Sequence, residues 1–205
     1  MTRPYEAIGS AVRCGDSVVH YRMGRWTDAG QRHDLARQWV RDLVDANALF
    51  SWPGLATTVP GTKPTFDGSS AADFSISHSG DLLLVAVCAD GAVGADVEAG
   101  PFETFDHVPL MRRMCTPAEL AFALTLTPEQ RRGYLADVWT AKESRVKCSG
   151  LGLADDFRGF DADPATRVLQ HPTHFRAWVT LRDNGGHLHA HRLTCPPGQT
   201  RQGPI

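Results

Sequence analysis

Two acidic side chains stand two residues apart in the segment Gly94-Ala95-Asp96-Val97-Glu98. The sequence predicts a strand over residues 92–98, and residues two apart on a strand point to one side with Cα atoms about 6.6 Å apart. Two like charges this close repel each other unless a cation lies between them or water screens them. Asp96 and Glu98 are therefore candidate ligands of a divalent cation, and a polar strand face in solvent is the alternative.

A second charged group falls on a predicted helix, in the segment Trp139-Thr140-Ala141-Lys142-Glu143-Ser144-Arg145-Val146-Lys147. Trp139, Glu143 and Lys147 are spaced four residues apart, so they share one stripe of the helix. A carboxylate one turn before an ammonium group can hold a metal and a phosphate side by side. The alternative is an ordinary helix-stabilising ion pair, which is worth only about 0.2–0.5 kcal/mol.

A hydroxyl and an imidazole are adjacent in the segment Phe74-Ser75-Ile76-Ser77-His78-Ser79-Gly80. Neighbouring residues on a strand face opposite ways, which disfavours a nucleophilic dyad of Ser77 and His78. A phosphate-binding turn and a plain Ser-Gly turn both remain open. Three alternating histidines, His187, His189 and His191, could present three imidazoles on one strand face but are only weak candidates for metal ligands.

The elements that position these residues follow from hydrophobic spacing and turn residues. Leu35, Trp39 and Leu43 recur at helical spacing and predict an amphipathic helix over residues 31–49. Strands are predicted over residues 17–23, 74–76 and 82–89. The turn Ala89-Asp90-Gly91 predicts that the last of these forms a hairpin with the strand over residues 92–98.

Helix caps mark the second half of the chain. Thr116 and Glu119 form a predicted capping box, and a second start at Thr127-Pro128 predicts a long helix that Gly150 ends. Short strands are predicted over residues 157–160, 168–169, 176–181 and 187–193. The sequence therefore predicts an α+β fold in two halves, residues 1–100 and 101–195, each with one major helix and a small antiparallel sheet, followed by a frayed tail over residues 196–205.

Composition narrows the class of protein. The 205 residues carry 21 basic and 23 acidic side chains, a net charge of −2 that gives no support for nucleic-acid binding. The longest apolar run, residues 82–89, is too short to span a bilayer, and residues 1–10 show no signal-peptide pattern. Five scattered cysteines without a C-x-x-C pair favour reduced thiols over a disulfide framework. We expect a cytoplasmic protein with neither a membrane nor a nucleic acid as its partner.

The order of these motifs is more specific than any one of them. The chain's three lysines, Lys63, Lys142 and Lys147, all fall within this series of motifs. The series resembles the 4′-phosphopantetheinyl transferase superfamily, in its double-length, surfactin-synthetase-activating type, from about residue 31 to residue 153. The residues that carry the resemblance are Gly61-Thr62-Lys63-Pro64, Ser77-His78-Ser79, Gly94-Ala95-Asp96-Val97-Glu98, and the helix from Trp139 to Lys147 with Gly150-Leu151-Gly152-Leu153 after it.

The resemblance implies a fold, a reaction and two bound species. The fold would be two pseudo-twofold-related α+β halves, with coenzyme A and Mg²⁺ in the cleft between them and Mn²⁺ as a possible substitute. The reaction would transfer 4′-phosphopantetheine from coenzyme A to a serine of an apo carrier protein and release 3′,5′-adenosine bisphosphate. Two alternatives are a non-catalytic carrier-binding homologue and an unrelated Mg²⁺-dependent phosphoesterase.

The resemblance also implies roles for individual residues. Asp96, Glu98 and Glu143 would be the metal ligands, and Lys147 would lie near the pyrophosphate. The catalytic residues would be Asp96, Glu143 and Lys147, with either Glu143 or a water at the metal as the base. The residues implied to bind coenzyme A are Arg32, Lys63, Ser77, His78, Lys142 and Lys147.

The carrier protein is the implied macromolecular partner. Carrier proteins present an acidic, partly apolar helix, and Leu110-Met111-Arg112-Arg113-Met114 offers apolar and cationic groups that fit it. The alternative for this segment is an ordinary buried helix end. The pathway that the carrier serves, whether fatty-acid, polyketide or nonribosomal-peptide synthesis, stays open. Because both sides of the implied cleft lie in one chain, we expect a catalytically competent monomer.

Overall fold

The structure, a computed structural model, describes residues 8–26, 29–56, 62–68, 71–150, 156–169 and 174–194. The predicted tail over residues 196–205, Gly61 of the lysine motif, and residues 151–153 of the Gly-Leu motif lie outside the described residues. The helices are α1 (Arg32–Ala46), α2 (Val108–Met114), α3 (Pro117–Leu124) and α4 (Pro128–Ser149). The strands are β1 (Ile8–Cys14), β2 (Ser17–Arg25), β3 (Asp73–Ser79), β4 (Leu82–Cys88), β5 (Ala92–Ala99), β6 (Phe175–Arg182) and β7 (Leu188–Arg192).

The strands form two sheets. The first has the order β1-β2-β4-β3 and the second the order β5-β6-β7, with every pairing antiparallel. The predicted hairpin of residues 82–89 with residues 92–98 is therefore wrong, since β5 pairs with β6. The physical reason is that β4 already pairs along one edge with β2 and along the other with β3, which leaves no free edge for β5.

Two layers of apolar side chains bury the two faces of β4. Leu82, Leu84 and Ala86 pack against β5 and β6 of the second sheet, together with apolar residues of β2. Leu83, Val85 and Val87 pack against α1 on the opposite face. Both faces of β4 are covered, which explains why its sequence is apolar without interruption.

The long helix α4 covers the outer face of the second sheet, where it contacts β5 and β6. A third apolar cluster packs α4 against α2 and α3, with Met114 and Leu135 fully buried at its centre. The order of layers is therefore α1, first sheet, second sheet, α4. This arrangement places β5 between the first sheet and α4.

The predicted caps of α3 and α4 are confirmed, while α1 ends at Ala46, three residues before the predicted end. Thr116 and Glu119 form a capping box at the start of α3, and Thr127 with Gln130 forms another at the start of α4. Gly150 follows the last turn of α4 with φ of 73°, a left-handed conformation that glycine adopts without steric cost.

Two short predicted strands are wrong. Residues 157–159 form a 3-10 turn whose start is capped by the Asp156 side chain. Residues 164–167 form another, capped by Asp163, and Val168 follows it outside any strand. Both aspartates accept a hydrogen bond from a backbone amide two residues further along, which favours a turn over an extended chain.

The α+β class is confirmed. The hydrogen-bonded division between the sheets falls between β4 and β5, ahead of the predicted boundary at residue 100, while the division into two pseudo-twofold halves stays a prediction. None of the helices in the described ranges is both long and apolar enough to cross a membrane.

Candidate functional site

Side chains, instead of a backbone ladder, join β3 to β5. The Asp73 carboxylate accepts a hydrogen bond from the Val93 amide (2.8 Å), and the Ser75 hydroxyl accepts one from the Ala95 amide (2.9 Å). The Ser77 hydroxyl accepts another from the Val97 amide (3.3 Å). The partners advance together along both strands, so β3 and β5 run parallel. We call this set of contacts the β3–β5 seam.

The seam also holds the two carboxylates of β5. Ser77 donates its hydroxyl proton to Asp96 Oδ1 (2.7 Å), and Ser79 donates to Glu98 Oε2 (2.7 Å). The indole Nε1 of Trp139 on α4 donates to the other oxygen of Glu98 (3.1 Å). The sequence motif of alternating serines is thus a set of hydrogen bonds that fixes Asp96 and Glu98.

A glycine allows α4 to lie directly on β5. A Cβ atom at Gly94 would lie 1.8 Å from the Ser144 carbonyl oxygen and 2.3 Å from the Cys148 amide nitrogen. Only a residue without a side chain permits this approach. The close contact brings Glu143 and Lys147 of α4 to the carboxylates of β5.

Lys147 and Asp96 form an ion pair at the centre of the site. Lys147 Nζ lies 2.5 Å from Asp96 Oδ1 and also donates to the Ser77 hydroxyl (2.9 Å). Burial raises the pKa of Asp96, and the Lys147 ammonium and the Ser77 hydroxyl oppose that rise. The structure therefore brings together three residues that the sequence predicted for the site.

Glu143 faces the same group of charges. Burial first, and then the negative charge of Asp96, raise the pKa of Glu143 to about 7, while Lys147 opposes the rise. Burial also raises the pKa of Glu98. A carboxyl group with a pKa near neutrality can gain or release a proton at working pH, as a general base must.

The residue types at this site suit a divalent cation, but their side chains are not arranged as a finished metal site. Within the part of the chain that the structure describes, no group of three or more His, Cys, Asp or Glu side chains is close enough to hold a metal ion. The second carboxylate oxygen of Asp96, however, is buried and has no hydrogen-bond partner. Carboxylate oxygens of this kind are the ligands that Mg²⁺ prefers.

Cationic groups lie around His78. Partial burial, followed by the positive charges of Arg32, Lys147 and His33, lowers the pKa of His78 on β3, although part of its side chain stays in contact with solvent. His78 is solvent-exposed, unlike Ser77 beside it on the strand, so the two side chains do face opposite ways. A concentration of positive charge around an exposed imidazole favours binding of an anion such as a phosphate.

Sequence reasoning missed Trp26 in this region. The Arg32 guanidinium lies over the Trp26 ring, 5.4 Å from its centroid. The indole Nε1 of Trp26 and the Nε of Arg32 are both buried without a hydrogen-bond partner. Buried donors normally find an acceptor, so these two are available to a ligand. No motif marked Trp26, because its place beside Arg32 depends on the packing of β2 against α1.

The structure contradicts the prediction that Lys142 binds coenzyme A. Its side chain is fully buried, and its ammonium group donates to Glu119 Oε2 (2.6 Å), the Met114 carbonyl (2.8 Å) and the Phe157 carbonyl (2.7 Å). An ammonium group has three donors, so none remains for a ligand. Lys142 joins α4 to α2, α3 and the turn at Phe157.

Lys63 also has partners within the protein. Its ammonium group pairs with Asp73 at the start of the seam and donates to the Val93 carbonyl (2.7 Å). Lys63 is thus not grouped with Lys147 and Asp96 in this structure.

Burial reduces the predicted carrier-binding surface. Met111 and Met114 are buried in the core around α4, so this surface is limited to the exposed Arg112 and Arg113 and their surroundings.

The histidines of β7 and the preceding turn were weak candidates for metal ligands. His187 and His189 both lie against Asp183, but the side chains of this described group are not close enough to one another to hold a metal ion.

Comparison with known proteins identifies the family. The sequence profile of the 4′-phosphopantetheinyl transferase superfamily matches residues 92–194, half of the chain. The chain belongs to this superfamily. The matched range contains β5 and α4, and therefore Asp96, Glu143 and Lys147.

Curated relatives agree with the profile. The chain is 32% identical over 92 residues to a 4′-phosphopantetheinyl transferase of Bacillus subtilis, a match that covers 45% of this chain and 39% of the relative. It is 28% identical over 115 residues to the 4′-phosphopantetheinyl transferase psf-1 of Bacillus pumilus, covering 55% and 48%. It is 35% identical over 82 residues to the 4′-phosphopantetheinyl transferase HetI of a Nostoc species, covering 40% and 34%. The chain thus spans less than half the length of each.

The first prediction concerns Gly94. Gly94→Ala should lower the free energy of unfolding by about 3 kcal/mol, because the added methyl group must push α4 away from β5. Chemical denaturation measures this change. Gly9→Ala is the matched control, since a Cβ there meets nothing within 4 Å and should leave stability nearly unchanged. Equal stability of the two variants would contradict the close packing of α4 on β5.

The second prediction concerns the pH dependence of stability in metal-free buffer. The folded protein holds the Glu143 proton more tightly than the unfolded chain, which has the ordinary value of 4.5. The stabilisation that protonated Glu143 adds to the free energy of unfolding is therefore complete below pH 4.5 and is lost as the pH rises through about 7. Glu143→Gln should flatten the fall in unfolding free energy between these two pH values. A variant with an unchanged slope would contradict the raised pKa.

Proposed function

We propose that this protein transfers 4′-phosphopantetheine from coenzyme A to a serine of an apo carrier protein. The observation that carries the proposal is the arrangement of Asp96, Glu143 and Lys147 across the contact of β5 with α4. Membership of the superfamily and the names of the curated relatives support the same reaction.

The chemistry required of the site is an attack on a diphosphate. The serine hydroxyl oxygen forms a bond to the phosphorus that carries the pantetheine arm, and the bond from that phosphorus to the bridging oxygen breaks. The leaving group is 3′,5′-adenosine bisphosphate. Both the electrophile and the leaving group are anionic, so the site must supply positive charge.

Glu143 is the proposed base for the serine proton. In the metal-free site, burial and the charge of Asp96 raise the pKa of Glu143 to about 7, so a large fraction of the carboxylate is ionised at neutral pH and can accept a proton. Lys147 is the proposed partner of the pyrophosphate, because its ammonium group is partly exposed and lies one helical turn from Glu143. Its charge would stabilise negative charge that builds up on the phosphate oxygens.

A divalent cation is the proposed cofactor, with Mg²⁺ preferred and Mn²⁺ as a substitute. Asp96, Glu98 and Glu143 would hold it, and the unpartnered oxygen of Asp96 supports this assignment. Bound there, the cation would neutralise charge on the pyrophosphate and polarise the phosphorus.

The cationic group around His78 is the proposed site for the nucleotide phosphates of coenzyme A. Arg32 and His33 at the start of α1 surround His78 with positive charge, and Trp26 adds an unpartnered donor. His78 faces the opposite side of β3 from Ser77 and Ser79. The two serines would therefore fix the carboxylates while His78 meets the ligand.

The carrier protein would dock beside α2. Arg112 and Arg113 are exposed there, and Val108 is 54% exposed at the start of the same helix. Cationic side chains next to an apolar one fit an acidic, partly apolar helix. The four described cysteines are free and buried, which fits work in a reducing compartment such as the cytoplasm.

The proposal predicts transfer that depends on a metal and on the two acidic residues. Wild-type protein with coenzyme A, Mg²⁺ and a panel of apo carriers should add one phosphopantetheine group to a carrier, as read by intact mass. EDTA should stop the reaction and added Mg²⁺ should restore it. Asp96→Asn and Glu143→Gln should each lower the rate by about 10²–10⁴-fold.

The control for these variants is Glu129→Gln, which changes an exposed residue in the first turn of α4. It should transfer at the wild-type rate. Release of 3′,5′-adenosine bisphosphate without a change in carrier mass would instead indicate a phosphoesterase. Binding of carrier with no reaction at all would indicate a non-catalytic homologue.

A further inference from the structure

Lys63 and Asp73 together satisfy both backbone groups of Val93. Asp73 accepts from the Val93 amide (2.8 Å), Lys63 donates to the Val93 carbonyl (2.7 Å), and the two side chains form an ion pair with each other. Both side chains are 18% exposed, so the pair is largely shielded from water. We call these three contacts the Val93 clasp.

The Val93 clasp lies where three elements of the site meet. Asp73 is the first residue of β3, and Val93 is the second residue of β5. The thiol of Cys148, which directly follows Lys147 on α4, donates to the carbonyl of Ala92 (3.1 Å). Burial raises the pKa of Cys148, the nearby charge of Lys63 opposes that rise, and the charge of Asp73 adds to it. The end of α4 is therefore next to the clasp.

The position of the clasp determines how β5 meets β3. The next contacts along the seam are Ser75 to the Ala95 amide and Ser77 to the Val97 amide. Ser77 in turn holds Asp96, and Ser79 holds Glu98. A shift of β5 at Val93 would move both carboxylates away from the serines that orient them.

We infer that Lys63 and Asp73 are a positioning pair for the site, which fixes β5 at Val93 so that Asp96 and Glu98 meet α4, and that Lys63 is not a phosphate ligand. The inference rests on the proposed function, since it concerns the same site. It replaces the expectation from the sequence that Lys63 contacts coenzyme A.

The charge of Asp73 distinguishes the two roles of Lys63. If Lys63 bound a phosphate, the neighbouring Asp73 carboxylate would repel that phosphate, and Asp73→Asn would tighten coenzyme A binding. If the two residues form a positioning pair, removal of either charge has the same consequence. The sign of the Asp73→Asn effect therefore separates the roles.

The experiment compares Lys63→Met, Asp73→Asn and the double variant with the wild type. Each variant is tested for coenzyme A affinity by calorimetry and for kcat with an apo carrier that the wild type modifies. We expect each single variant to lower kcat by about tenfold, because small misplacements of reacting groups are costly. The double variant should lose no more than a single one, and the coenzyme A Kd should stay within about twofold of wild type in all three.

Two further variants complete the design. Lys63→Arg keeps the cation and should restore most of kcat, and Lys63→Gln keeps a donor for the Val93 carbonyl and replaces Lys63→Met if that variant does not fold. Asp45→Asn removes an exposed acidic residue of α1 and should leave both measurements unchanged.

A weaker coenzyme A affinity in Lys63→Met with a tighter one in Asp73→Asn would overturn the inference and leave the proposed function intact. A double variant whose loss of kcat equals the product of the two single losses would also overturn the inference. A wild-type protein that modifies no carrier would overturn the proposed function itself, and the inference with it.

Discussion

The hydrogen bonds between β3 and β5 are the constraint on which the site depends. The amides of Val93, Ala95 and Val97 lie in a buried strand, and their partners are Asp73, Ser75 and Ser77 instead of another backbone. A buried amide without a partner costs about 1–3 kcal/mol, so each of these side chains is needed where it stands. Ser77 also donates to Asp96, and Ser79, two residues further along β3, donates to Glu98. The strand that joins the two sheets therefore also orients the acidic residues.

The buried carboxylates of the site lower the stability of the folded protein. Burial raises the pKa of Asp96, Glu98 and Glu143, so the folded protein resists ionising all three in the absence of a cation. Lys147 relieves part of this cost through its ion pair with Asp96. A cluster of carboxylates with raised pKa values is a common sign of a functional site, since a protein selected for stability alone would avoid it. The apolar packing on both faces of β4 supplies the stability that tolerates this cluster.

Local signals in the sequence predicted the elements that depend on local physics. Helical spacing located α1, capping residues located the starts of α3 and α4, and the two-residue spacing placed Asp96 and Glu98 on one strand. The predicted hairpin of β4 with β5 was wrong because a turn sequence at residues 89–91 contains no information about strand pairing elsewhere. Both edges of β4 are paired with β2 and β3. Lys142 was misassigned because motif position does not reveal burial, and Trp26 was missed because its contact with Arg32 arises only in the fold.

The central claim is that one polypeptide supplies both sides of the site, Asp96 from β5 and Glu143 from α4. Mixing Asp96→Ala chains with Glu143→Ala chains tests it most directly, with carrier modification read by intact mass. We predict that the wild type transfers phosphopantetheine, that each variant alone does not, and that the mixture is as inactive as its components. Recovery of transfer in the mixture would show that the two residues act from different chains and would contradict the account.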